Sequence, residues 1–156
     1  MRRGRSLSRG FTLVEILIVI AIIATLSGLS FSAFHNLNAS RALEREAGRV
    51  VAELQKARSL TISSKNNAQF GVHVQSSQVT LFQGTTFIAG SSTNSVTSIN
   101  PLVTISSISL QGGVSDVIFQ RITGKTSGSG TLVVSRIGTS AIKTITIYAT
   151  GLIDVQ

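Results

Sequence analysis

The sequence predicts an α+β protein, with one long N-terminal helix packed on a C-terminal antiparallel β domain. Three observations carry this. An apolar run of about 24 residues occupies residues 11–34, long enough to be a helix in an apolar setting. Apolar residues then recur at helical spacing as far as about Ser63. From about Gln69 onward the apolar period changes from 3.6 to 2, the mark of strands.

Length and composition bound the rest. The 156 residues allow one domain of ordinary size once any targeting segment is set aside. With 42% hydrophobic and only 13% charged residues, and a middle and end rich in Ser, Thr, Val, Ile and Gly, the chain suits strands and turns. It has no Cys, which excludes a disulfide framework and a thiolate metal site. The formal net charge of +8 suggests nucleic acid until its distribution is considered. Arg2, Arg3, Arg5 and Arg9 supply half of it, so without the first ten residues ten basic residues face six acids, an excess of +4.

As a helix, residues 11–34 would run roughly 36 Å at 1.5 Å per residue, enough to cross a hydrocarbon core of about 30 Å. The preceding arginines orient such a span with its N-terminus in the cytoplasm and the rest of the chain outside. A cleaved secretory signal peptide, cut near Ser30-Phe31-Ser32, and a plain signal anchor both fit this outline. Neither accounts for Glu15, because a carboxylate in such a run costs up to about 2.5–3.5 kcal/mol at mid-membrane. It needs a partner.

The stretch Arg9-Gly10-Phe11-Thr12-Leu13-Val14-Glu15 resembles the processing site of type IV prepilins and type II secretion pseudopilins. The resemblance implies cleavage after Gly10 by a prepilin peptidase, N-methylation of the new N-terminal Phe11, and retention of the apolar helix. It further implies that Glu15 pairs with the N-terminal amine of a neighbouring subunit. The physics is consistent: a buried carboxylate and a buried ammonium are each expensive alone, and removing one partner costs more than the pair gains. The implied partners are other pilin or pseudopilin subunits, the prepilin peptidase and N-methyltransferase, and an inner-membrane assembly platform. The implied location is the cytoplasmic membrane, crossed once with the C-terminal domain outside, and then the pilus or pseudopilus.

Beyond the apolar run, Leu43, Ala47, Val50, Leu54 and Ala57 share one helical face, leaving Arg45, Arg49, Glu53 and Lys56 for the others. Arg49 and Glu53, at i and i+4, form a candidate pair worth a few tenths of a kcal/mol. The helix is weakest near Thr25, Ser27, Gly28 and Ser30, since Gly costs about 1 kcal/mol relative to Ala. The expected division is a basic leader over residues 1–10, cleaved off, then a membrane and assembly half of the helix over 11–34. An amphipathic half over 35–65 and a β-rich domain over 66–156 follow.

In the β region, QFGVHVQ and QVTLF alternate around a Ser76-Ser77 hairpin turn. Residues 90–100 read as a loop, and LVTISSISL, VSDVIFQ, TLVVSRI, IKTITIYA and LIDV read as further strands. Phe119-Gln120-Arg121-Ile122-Thr123-Gly124, the Gly/Ser turn, TLVVS and the terminal ITIYATGLIDV resemble the C-terminal domain of GspH/FimT-type minor pilins and pseudopilins. The resemblance implies two β-sheets packed on the helix, and a minor, tip-located, non-enzymatic subunit.

Catalytic and metal chemistry finds little support. His35 and His73 are isolated in sequence, and Asp116 and Asp154 are the only acids after residue 65, so spacing suggests no metal cluster and no acid/base pair. No cofactor is implied, and the acids for a calcium loop are lacking. The alternative to a structural subunit is a DNA-binding minor pilin for DNA uptake. In such relatives basic residues would follow the C-terminal glycine, but here that stretch is Gly151-Leu152-Ile153-Asp154. Arg121, Lys125, Arg136 and Lys143 form at most a weak basic patch.

Overall fold

The computed structural model describes residues 11–156, with side chains described outside residues 29–40 and Lys65. The chain divides after Asn38 into two compact units. Helix α1 covers Leu13–Ile62, so residues 13–38 of it belong to the first unit and residues 39–62 to the second.

In the first unit the helix starts on a cap that the residues themselves supply. Thr12 is the N-cap: its Oγ1 accepts the Glu15 N–H at 3.2 Å, and its carbonyl accepts the Ile16 N–H at 3.3 Å. Thr12 and Glu15 therefore stand in the Thr-x-x-Glu spacing of a capping box, with the carboxylate in the first turn, where the helix dipole favours negative charge. From Leu13 to Gly28 every residue is exposed, including Leu13, Ile16, Leu17, Val19, Ile20 and Ile23 at 48–75%. Among the described residues, no helix is long and apolar enough to cross a membrane. Residues 13–34 of the segment expected to span are helical, and its described side chains end at Gly28.

The second unit is an α+β domain. Eight strands follow the helix: β1 Phe70–Val74, β2 Gln78–Gln83, β3 Ser95–Ser98, β4 Val103–Leu110, β5 Asp116–Ile118, β6 Gly130–Arg136, β7 Ile142–Ile147 and β8 Ile153–Val155. They form two four-stranded antiparallel sheets, ordered β3-β2-β1-β5 and β4-β6-β7-β8. Core residues come from all three layers: Leu43, Val50, Leu54 and Ala57 from α1, Val72, Val79 and Val117 from the first sheet, and Leu132, Val134, Ile145 and Ile147 from the second. Leu54 is wholly buried, and removing a leucine side chain from water contributes about 1.5–3 kcal/mol. Leu43, Ala47, Val50, Leu54 and Ala57, aligned by spacing, all lie in the buried set.

The helix ends where Thr61 meets β1. Its buried hydroxyl donates to the Ala57 carbonyl at 2.9 Å and accepts the Phe70 N–H at 2.9 Å. Ser64, Asn66 and Asn67 then take left-handed φ values of 50°, 55° and 54°, turning the chain into β1.

Two sequence expectations change here. Residues 90–100 are not all loop, because they contain β3, paired to β2 from Gln78↔Ser98 to Leu81↔Ser95. Its Ser-Val-Thr-Ser sequence lacks an apolar face, and contacts with α1 help hold it: Arg49 Nη1 donates to the Ser98 carbonyl and Thr97 Oγ1 to Glu53 Oε1, both at 3.3 Å. The Arg49–Glu53 pair is also not made. Glu53 pairs with Lys56 at 3.4 Å, and Arg49 lies 3.8 Å from the buried Glu46.

Candidate functional site

The first candidate lies at the start of α1. Phe11 precedes the capped turn and is 79% exposed. One helical face beyond it forms a shallow groove of about 240 Å³ lined by Phe11, Glu15, Ile16, Val19 and Ile20. Glu15 is its only ionisable residue, and the Glu15 carboxylate makes no hydrogen bond or ion pair among the described residues. Gly10, the expected cleavage residue, lies outside the described residues, as does the rest of the leader. The arrangement offers an exposed carboxylate in an apolar groove, a place for a cation carried by an apolar partner.

Sequence reasoning missed the Thr12 cap. The signal was present as Thr12 three residues before Glu15. Glu15 therefore has a local role in the first turn of the helix, alongside any intermolecular one.

The second unit holds one His–Asp hydrogen bond that spacing did not suggest. His73 on β1 stands directly opposite Asp116 on β5, and His73 Nδ1 donates to Asp116 Oδ1 at 2.5 Å. Phe87 stacks on the imidazole at 3.9 Å with the rings 2° from parallel, and meets Phe82 edge-on at 5.6 Å. The segment after β2 is thereby folded over the outer face of the first sheet. No hydroxyl bonds to His73 Nε2 among the described residues, so the pair lacks the nucleophile of a catalytic triad. Among the described residues no three His, Cys, Asp or Glu side chains come together to hold a metal. The side chain of His35 lies outside the described residues.

The basic residues are not gathered. Arg121 and Lys125 sit on the loop after β5, where Arg121 bonds to Asn67 Oδ1 and the Gln120 N–H to the Lys125 carbonyl. This loop adjoins the Gly130/Ile147 end of the second sheet, since the Thr126 N–H bonds to the Ala149 carbonyl. Arg136 and Lys143 lie at the other end of the β6–β7 ladder, where Val134 pairs with Lys143. Six residues of strand, roughly 20 Å at 3.3 Å each, separate the two groups.

A second groove, of about 420 Å³, lies between the last turns of α1 and the segment leading into β8. Gln55, Arg58, Ser59, Ile62 and Ser63 line one wall, and Gly151, Leu152 and Ile153 the other. Two glycines fit this corner together. Gly124 and Gly151 have φ of +63° and +80°, and a β-carbon on Gly151 would stand 1.9 Å from the Gly124 carbonyl oxygen.

Residues 5–31 match the family model described as the prokaryotic N-terminal methylation motif, which includes Gly10, Phe11 and Glu15. The match supports the type IV pilin and pseudopilin class, and the motif implies processing by a prepilin peptidase and assembly with other pilins. No curated protein and no solved structure matches the chain.

Proposed function

We propose that the protein is a non-enzymatic minor subunit of a type IV pilus or a type II secretion pseudopilus, of the GspH/FimT type and tip-located, assembled through its N-terminal helix. The observation that carries the reading is the exposure of apolar residues all round the helix from Leu13 to Leu26, interrupted by the carboxylate of Glu15 and by Thr25, whose hydroxyl bonds back to the Ile22 carbonyl. A helix apolar on every side belongs in lipid or in the core of an assembly. The methylation motif over the same residues supports the same conclusion. In this reading the leader is removed after Gly10, Phe11 is methylated, and the helix holds the chain in the cytoplasmic membrane until it enters the filament. Residues 29–34 continue the apolar stretch in sequence.

Glu15 then performs two tasks. In the isolated helix its charge favours the first turn. In the filament it receives the ammonium group of a neighbour's Phe11, fixing the register, because any other register leaves both charges buried and unpaired. Arg121 and Lys125 standing apart from Arg136 and Lys143 supports this reading over DNA capture, which needs several phosphate contacts along one surface. The test is a Glu15→Leu variant, which should be processed and membrane-inserted but fail to enter filaments. Normal incorporation would refute the pairing.

A further inference from the structure

The groove between α1 and β8 has a recognisable chemistry. β8 is the last strand of its sheet, with β7 on one side and, among the described residues, no strand on the other. Thr144 and Gln156 exchange both backbone hydrogen bonds at 2.9 Å, and the Tyr148 N–H bonds to the Leu152 carbonyl at 2.9 Å. In the antiparallel pattern residues 152, 154 and 156 thus direct their backbone groups at β7, and those of Ile153 and Val155 point away from it. An open strand edge of this kind is a template for another strand.

The groove beside that edge carries one charged side chain, Arg58. The acid nearest to it on β8, Asp154, does not line the groove and accepts from Gln156 Nε2 at 3.5 Å. Arg58 Nε donates to the Gly124 carbonyl at 3.3 Å, which fixes the side chain, and its Nη groups make no other bond among the described residues. Lys125 is exposed on the neighbouring loop. That loop is strained: the Thr123 N–H bonds to the Arg121 carbonyl at 2.7 Å, placing Ile122 at the apex with φ +68° and 80% exposed. A β-branched residue in that conformation is costly, and such strain concentrates at functional surfaces. Leu152, 59% exposed, supplies an apolar wall of the groove itself.

We propose that this groove receives an extended segment of a partner protein, added to β8 as a further strand, with a carboxylate flanked by apolar residues seated on Arg58. Backbone bonds to Ile153 and Val155 give the affinity, and the guanidinium, whose Nη groups can receive a carboxylate bidentately, selects the acid. The surface lies wholly in the second unit and uses none of residues 11–38, so failure of the assembly reading leaves it standing, and the converse also holds.

The test titrates the full chain in detergent micelles with acetyl-VTVEVTV-amide while backbone amide resonances are followed. The peptide is expected to shift the amides of Ile153 and Val155, and its Glu→Gln analogue to bind at least about tenfold more weakly. Arg58→Gln should reduce the acidic peptide to the level of that analogue. Because Arg58 also holds the Gly124 carbonyl, a second variant is needed. Val155→Pro removes an outward N–H without touching the β7 ladder, and should abolish binding with the thermal midpoint unchanged. Equal binding of the two peptides, unaltered binding by Val155→Pro, or no shifts at Ile153 and Val155 would overturn the proposal. So would binding at this groove of a twelve-residue oligothymidylate but not of the peptide, which would assign it to phosphate.

Discussion

The two units handle apolar surface in opposite ways. Between Leu13 and Leu26 large aliphatic side chains stand exposed in succession, whereas Leu54, Val72, Val117, Leu132 and Ile145 in the second unit are wholly buried. Both helix segments come from one continuous element, Leu13–Ile62. What separates them is the pattern: apolar at nearly every position in the first, apolar on one stripe in the second. A stripe is satisfied by two sheets of the same chain, while a helix apolar all round requires other molecules. The second unit is thus a finished fold, and the first is a component waiting for its surroundings.

Leu54→Ala should show that the second unit lives on its core, lowering stability by about 2–5 kcal/mol in a denaturant or thermal unfolding measurement. Placing a charge on the two kinds of exposed aliphatic residue sharpens the contrast. Ile20→Glu should cost about 2.5–3.5 kcal/mol for insertion in bilayers and deplete the protein from the membrane fraction. Ile142→Glu, at an equally exposed position on β7, should change unfolding stability by no more than about 0.5 kcal/mol. If both changes were neutral, the helix would not need an apolar environment.

Gly151→Ala should lower stability of the second unit by about 1–3 kcal/mol, since the added carbon meets the Gly124 carbonyl at a left-handed position. A smaller effect than that of Gly151→Ala belongs to the start of the helix. Thr12→Ala removes the cap on the Glu15 N–H and should weaken the first turn by about 1 kcal/mol, read as faster hydrogen exchange at Glu15.

Local features of the chain were legible in the sequence, and features that depend on register were not. The buried stripe from Leu43 to Ala57 followed from helical spacing, and β1, β2, β6 and β7 followed from alternation of Val, Leu and Ile. β3 was hidden because Ser95–Ser98 has no apolar face and is held partly by Arg49 and Glu53 from a distant helix. The His73–Asp116 pair was hidden because it depends on how β5 registers against β1, 43 residues away in sequence. At the candidate assembly site Glu15 was conspicuous as a lone charge in an apolar run, yet its place opposite the Thr12 cap became clear only with the helix start defined. The groove at β8 was not legible, since Arg58 and Ile153 meet only through the packing of α1 beside the last strand.

The central claim is that the apolar helix stays on the mature protein with a processed end. Mass spectrometry of the intact protein purified from membranes of a host carrying the prepilin peptidase tests this most directly. The account predicts a chain beginning at a methylated Phe11. A mature chain beginning near Ala33, with the apolar helix gone, would contradict it.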